Sequence, residues 1–436
     1  MKLMEAIMFN ETIPHSVQEF MDKVNELAKD YPKWVNVFNS RFLDTLQNTV
    51  KVDEEGTTFV LTGDIPAMWL RDSTAQLRPY LYLANDSDEI KQLIKGLIER
   101  HFRMIHLDPY ANAFNETDNN AGHQDDHTEM QPIIWERKYE IDSLCYAIQL
   151  SYLYYKTTGD TSHFNETFVQ GIDDILTVWE TEQNHENSPY TFERDTWREE
   201  DTLTHDGRGT PVAYTGMTWS GFRPSDDRCI YHYLVPSNMF AVVVLRYLEE
   251  IFTELLPDTK RCERVVKLKE EIDRGIQEHA IVKNDQGQDV YAYEVDGLGN
   301  YSIMDDANIP SLLSAPYLGY CSEDDPVYQN TRATILSSEN PYYYAGTEAS
   351  GIGSSHTPED YIWHMAIAME GLTSSDPVKQ KSVLDTLVKT DGGTGVLHEG
   401  FHKDDSTQYT REWFSWPNML FVELMLGYLG FDIEGI

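Results

Sequence analysis

Basic residues are scarce in this chain. Its 34 Lys and Arg face 73 Asp and Glu, a net charge of −39 over 436 residues. A surface of that sign repels phosphate backbones, which argues against nucleic acid as a partner and accounts for solubility. Cysteine is also rare. Cys145, Cys229, Cys262 and Cys321 form no Cys-x-x-Cys pair, so zinc-ribbon and thioredoxin-like chemistry have no support. Four scattered thiols in so long a chain do not make a disulfide framework. Long apolar runs are missing: Met239–Leu245 is among the longest, far short of the ~18 residues a bilayer span needs, so no membrane partner is expected. The opening Met1-Lys2-Leu3-Met4-Glu5-Ala6 lacks the charged, apolar and small-residue zones of a secretion signal. The expectation is a cytoplasmic protein, in which triplets such as Asn115-Glu116-Thr117 carry no glycan. No low-complexity linker or shift in composition divides the chain, so residues 1–436 are expected to form a single domain.

Hydrophobic residues make up 41% of the chain, with 26 Tyr and 9 Trp among them, enough for a large core and for aromatic platforms in a cleft. Their spacing is mostly helical. Ser16-Val17-Gln18-Glu19 reads as a capping box, followed by Phe20, Val24 and Leu27. Pro32 opens a second stretch with Trp34, Val35, Phe38, Phe42 and Leu46 along one side. Further helices are predicted over 71–84, 88–106, 138–157, 166–182, 236–255, 259–279, 325–338, 358–371, 377–390 and 409–428. Two segments, 49–62 and 280–296, read instead as β-hairpins turned at Asp53–Gly56 and Asp285–Gly287. About twelve helices joined by long polar loops suit a closed ring of helix pairs, an all-α fold with short β-hairpin insertions whose loops at one end form a pocket.

Those loops hold the residues able to carry chemistry. In Gly63–Ser73, Trp69, Arg71 and Asp72 stand where a helix begins. Asp72 or Ser73 could cap that helix over a packed indole. Equally, Arg71 and Asp72 suit paired hydrogen bonds to vicinal hydroxyls beside an aromatic face. The loop from Asn112 to Glu140 holds His123, Asp125, Asp126, His127, Glu129 and Glu136; His123 and His127 are four apart, but Gly122 and the polar loop around them argue against a helix, and no metal is expected. Arg223-Pro224-Ser225-Asp226-Asp227 sets two carboxylates side by side, where mutual repulsion disfavours joint ionisation, as a general acid requires. Gly392–Phe401 contains His398 and Glu399 but no Gly-Lys-Ser/Thr, which excludes a P-loop. Glu399 is a candidate base, with Glu412 of the Thr410–Asn418 loop competing for the role. A serine-triad elbow is missing, since Ala349-Ser350-Gly351-Ile352-Gly353 has Ile at its centre. The dinucleotide fingerprint fails where Ser354-Ser355-His356 follows Gly351-Ile352-Gly353. Paired carboxyls among aromatics and neutral polar loops favour carbohydrate chemistry.

Four blocks resemble glycoside hydrolase family 125: Gly63–Ser73 with Gln76-Leu77-Arg78-Pro79-Tyr80 after it, Ser220–Asp227, Met304–Leu313, and His398-Glu399-Gly400-Phe401. The resemblance runs over nearly the whole chain. It implies an (α/α)6 barrel and exo-acting α-1,6-mannosidase activity with inversion, on mannose-containing oligosaccharides and without metal or other cofactor. It further implies that Asp226 is the general acid, in preference to its neighbour Asp227, and that Glu399 is the general base. Trp69, Arg71, Asp72, His123, Asp126, Arg223 and His398 are then expected to hold the sugar. An inverting pair stands roughly 6.5–9.5 Å apart, whereas about 5 Å would signal retention. A sugar epimerase using His123, His127, His356, His364 and His398, or a non-catalytic glycan-binding protein, are the alternatives. Release of free mannose separates hydrolysis from both.

Overall fold

The computed structural model describes residues 13–433, and thirteen α-helices dominate them. In chain order these are α1 (His15–Leu27), α2 (Pro32–Asp44), α3 (Leu70–Leu77), α4 (Asp88–Leu107), α5 (Ile141–Thr158), α6 (Glu166–Glu182), α7 (Val235–Glu250), α8 (Thr259–His279), α9 (Ala315–Leu318), α10 (Pro326–Ile335), α11 (His364–Leu372), α12 (Pro377–Lys389) and α13 (Ser415–Tyr428).

The helices divide into two kinds, and their sequences say which is which. Helix α8 buries only the stripe Val265, Leu268, Ile272, Gly275 and Ile276, the signature of a helix with one face to solvent. Helix α13 buries every residue from Ser415 to Met425 and Leu426, and α7 every residue from Val235 to Leu245, as expected for helices that are apolar all round. The buried helices are neighbours in sequence order. Helix α13 packs on α3, α3 on α5, α5 on α7 and α7 on α9, while α11 packs on α13. Outer helices cover them, α8 against α7, α12 against α11, and α2 against α13.

Helix ends follow the expected chemistry. Asp258 accepts the Arg261 N–H at 3.0 Å to open α8, Asn165 caps α6, and Pro32 occupies the first turn of α2. The Ser16–Glu19 capping box is not used: α1 already begins at His15 after Pro14, so Ser16 lies inside the helix. Residues 49–62 do form a hairpin, Val50–Val52 against Thr58–Val60. In 280–296 only Ile281–Lys283 and Asp289–Tyr291 pair as expected. Glu294–Val295 instead joins Tyr233–Leu234 and Tyr301–Ser302 in a separate three-stranded sheet.

A short strand sits where a helix is predicted at 358–371, and another ends at the start of the helix predicted at 409–428. Tyr361–Trp363 pairs with Gly400–His402, which pairs with Asp405–Tyr409, and only then do α11 and α13 begin. Likewise Met68–Trp69 pairs with Ala113–Phe114 immediately before α3. These strands fix where the buried helices start, and the side chains of the site stand at those N-terminal ends. The first and last loops close on each other there. Asp64 N–H donates to Trp413 O at 3.0 Å, and a side chain at Gly63 (φ 139°) would meet that same oxygen at 2.5 Å, so the residue must be glycine. Among the described residues no helix is long and apolar enough to cross a membrane.

Candidate active site

A cavity of about 230 Å³ opens at the N-terminal ends of α3, α11 and α13, with Trp69, Arg71, Asp72, Asp226, Asn308, His356, Trp363, Glu399, Arg411 and Phe414 in its wall. Its size is below the ~300–1,000 Å³ of drug-sized pockets.

One wall is built on Arg71, in the first turn of α3 and buried. Its Nη1 donates to Glu140 Oε2 at 2.5 Å and to Asp142 Oδ2 at 3.2 Å, both at the start of α5. Its Nε lies 3.4 Å from Asp72 Oδ2 and its Nη2 3.5 Å from Asp226 Oδ1. Four carboxyl groups thus face one guanidinium, too few positive charges for all to ionise comfortably in a dry site. Burial lifts Glu140 well above the usual carboxylate range, against the pull of Arg71. Burial also lifts Asp72 to about 6, with Arg71 opposing and the charge of Asp226 adding to the rise.

Asp226 and Asp227 are adjacent and differently employed. Asp227 is buried and fully engaged, accepting from Arg198 Nη2 at 3.1 Å, Ser355 Oγ at 2.5 Å and His356 Nδ1 at 3.0 Å. Those partners outweigh the burial that would raise it and hold it down at about 2, a permanent anion. Its imidazole partner moves the other way. Burial alone would lower His356, but the hydrogen bond and charge of Asp227, helped by Glu399 and Asp226, raise it to about 9, so a cation sits in the cavity wall at neutral pH.

Asp226 faces the cavity, and its buried Oδ1 has no hydrogen-bond partner in the protein. Its φ of 68° is in the left-handed region, where a non-glycine residue is strained and such strain marks functional positions. The turn is held on several sides. Asp226 N–H donates to Arg223 O at 2.9 Å, Lys138 Nζ donates to Asp226 O at 2.8 Å, and Asn308 Nδ2 donates to Pro224 O at 2.7 Å. Asp306 accepts from Ser225 Oγ and Ser354 Oγ, both at 3.0 Å, tying this turn to the one that carries His356.

Glu399 lies on the wall contributed by the strand region before α13. Arg411 Nη1 stands 3.7 Å from its Oε1, and that guanidinium is itself clamped by Asp64 through Nε at 3.1 Å. Glu412, the competing candidate, is exposed and is not part of the cavity wall.

Trp69, Arg71, Asp72, Asp226 and Glu399 of the expected site are therefore brought together. The other four expected sugar ligands stand behind or beside the cavity, for reasons visible in their partners. Arg223 Nε is spent on Glu294 Oε1 at 2.6 Å, and Glu294 in turn accepts from Ile230 and Tyr231 N–H. His398 stacks on Tyr409 at 3.6 Å and its Nδ1–H donates to Arg411 O at 2.8 Å, so it supports the Arg411 turn. Asp126 is held by Arg194 through two bonds of 2.7 and 2.6 Å. His123 is half-exposed, 3.7 Å from Glu136. Among the described residues no group of three or more His, Cys, Asp or Glu is arranged around a metal position. The sugar site expected from the sequence does not include Asn308, Trp363 or Arg411, and His356 figures there only in the epimerase alternative. Asn308 lies within the Met304–Leu313 block, and His356 follows Gly351-Ile352-Gly353 with no local signal of its own.

The sequence matches the metal-independent alpha-mannosidases, GH125, over residues 31–426. The chain belongs to this family. It is a glycoside hydrolase, an α-mannosidase by that membership. A Streptococcus pneumoniae metal-independent alpha-mannosidase, solved in a non-productive substrate complex with alpha-1,6-mannobiose, is 59% identical to the chain. Its superposition has a TM-score of 0.95 and covers 96% of this chain and 99% of that one. The meiotically up-regulated gene 157 protein of Schizosaccharomyces pombe is 39% identical, over 95% of this chain and 86% of that protein. A wild-type glycosidase structure, 12% identical, superimposes with a TM-score of 0.54 over 95% of this chain and 98% of its own, a likeness of fold alone.

Proposed function

We propose that this α-mannosidase is exo-acting and inverting, and removes terminal non-reducing α-1,6-linked mannose from oligosaccharides such as N-glycan or mannan fragments. The observation that carries the reading is the pairing in one sugar-sized cavity of Asp226, whose buried Oδ1 accepts no hydrogen bond from the protein, and Glu399, flanked by Arg411. The linkage is supported by the 59% identical S. pneumoniae enzyme, whose bound ligand is alpha-1,6-mannobiose. A cavity that admits about one sugar favours attack at chain ends over cleavage within chains.

In this mechanism the terminal mannose lies against Trp69 and Trp363, and Arg71 and Asp72 bind its hydroxyls. Asp226 donates its proton to the glycosidic oxygen. Glu399 takes a proton from a water on the opposite face of the ring, and that water forms the new C1–O bond as the old one breaks. Proton transfers and displacement are concerted, so the product is the opposite anomer. Asp227 takes no part in proton transfer: its three partners hold it ionised, and it fixes His356 beside the acid.

The chain of neighbours α11–α13–α3–α5–α7–α9 supports reading the buried helices as the inner ring of an (α/α)6 barrel. One apolar cluster reaching from Val17 to Ile433 supports a single domain. Cys145, Cys229, Cys262 and Cys321 are free thiols, which suits a reducing cytoplasm.

Incubation with α-1,6-mannobiose, followed by proton NMR from the first minutes, tests the reading. β-Mannose should appear before mutarotation. Initial α-mannose would sink inversion, and no mannose at all would sink the linkage assignment.

A further inference from the structure

Of the nine tryptophans, eight are buried or half-buried and Trp197 is 91% exposed. An indole left in water is unusual, because it buries more apolar area than any other side chain when it finds a partner. Nor does Trp197 hang on a loose loop. On one side Arg194 is clamped to Asp126, and its N–H donates to Thr202 Oγ1 at 2.9 Å. On the other, Arg198 N–H donates to Thr196 Oγ1 at 3.1 Å, and its guanidinium reaches Asp227 Oδ1 at 3.1 Å and Ser355 O at 3.4 Å. Glu200 O accepts from Arg228 N–H at 2.7 Å, and Lys138 Nζ bridges Asp201, at 3.3 Å, to Asp226 O. The indole is thus presented by a pinned loop.

The pins also say where it is presented. Arg198, the next residue, touches the carboxylate beside Asp226, and Lys138 joins the same loop to Asp226 itself. The loop borders the acid side of the cavity. The general acid protonates the glycosidic oxygen, so the leaving-group part of the substrate departs along that side. Glu193, Asp195 and Glu199, near Trp197 in the same segment, are exposed, an acidic stretch that disfavours an anionic ligand and leaves a neutral sugar ring well placed.

We propose that Trp197 is a stacking platform for a neutral pyranose of the leaving-group chain, beyond the sugar directly bonded to the terminal mannose. The proposal rests on the reading of Asp226 as proton donor. It makes the enzyme selective for longer oligosaccharides through a residue outside the cavity. The ring would lay its C–H face on the indole, a contact that gains from apolar area and aromatic geometry and needs no particular hydroxyl pattern.

The test compares α-1,6-mannotetraose with α-1,6-mannobiose in the wild type, Trp197→Ala and Trp197→Phe. The ratio of kcat/KM for tetraose over biose should fall roughly 5- to 10-fold in Trp197→Ala, mostly through KM, and recover most of that in Trp197→Phe. The same ratio read as dissociation constants by calorimetry, in the Asp226→Asn background, needs no turnover. It should fall by the same factor. An unchanged ratio, or an equal loss on both substrates, overturns the platform. If the wild type releases no mannose but the binding ratio still falls, the platform stands and the mechanism above fails.

Discussion

Two arginines, Arg71 buried and Arg194 partly buried, are each surrounded by carboxylates and do opposite things. Arg194 binds Asp126 through both nitrogens and Glu136 at 2.8 Å, and Asn112 Nδ2 donates to the remaining Glu136 oxygen at 3.1 Å. Every charge there has a partner, and Lys138, Arg194 and His123 overcome burial to hold Glu136 at about 2. Around Arg71 the pairing is incomplete. Arg71 Nε, Glu140 Oε1 and Asp226 Oδ1 are buried without hydrogen-bond partners, and Glu140 and Asp72 are pushed up rather than down. Unpaired buried polar atoms are disfavoured unless something else satisfies them. The closed cluster welds loops together. The open one leaves polar atoms unsatisfied by the protein, and its Arg71, Asp72 and Asp226 line the cavity.

This contrast can be broken in several places. The largest expected effect is on chemistry. Glu399→Gln should lower kcat roughly 10²–10⁴-fold while mannose still binds, measured by steady-state kinetics and calorimetry. Next, Arg194→Ala leaves Asp126 without its counter-charge and Glu136 with a weaker one. It should destabilise the fold by about 3–5 kcal/mol in urea titration, with kcat of the folded fraction near wild type. A large kcat loss without destabilisation would move that cluster into the active site.

Asp72→Asn should do the reverse, with a definite pH signature. Between its ordinary value of 3.8 and about 6, the folded protein keeps a proton on Asp72 that the unfolded chain has released. Stability therefore falls as pH rises through that window, and the full penalty is present above it. The variant should gain on the order of 1–3 kcal/mol at pH 7 and nothing near pH 3, while kcat/KM on mannobiose drops. The smallest effect belongs to His123→Ala. The side chain is half-exposed and 3.7 Å from Glu136, so its removal should change stability by less than about 1 kcal/mol. It should also leave KM unmoved.

The same division separates what the sequence made legible from what it did not. Helices α6 and α8 are readable to the residue, because a capping Asn or Asp is followed by an uninterrupted 3.6-residue stripe. Residues 358–363 and 409–414 mislead, because Tyr361–Trp363 and Asp405–Tyr409 owe their strand form to partners in Gly400–His402, which no local propensity reports. Among site residues, Arg71, Asp226 and Glu399 stand in blocks whose residue order is itself distinctive. His123 and Asp126 attract attention by density alone, yet the salt bridge that engages Asp126 comes from Arg194, 68 residues away. His356 is the converse, an ordinary histidine in sequence that becomes a cavity cation only through Asp227.

In the proposed mechanism Asp226 delivers the proton to the leaving oxygen. Asp226→Asn, compared with wild type on α-1,6-mannobiose and on an aryl α-mannoside whose acidic phenol needs no protonation, tests it most directly. A loss of roughly 10²–10⁴-fold is expected on the disaccharide and a far smaller one on the aryl mannoside. Equal losses on the two substrates would contradict it.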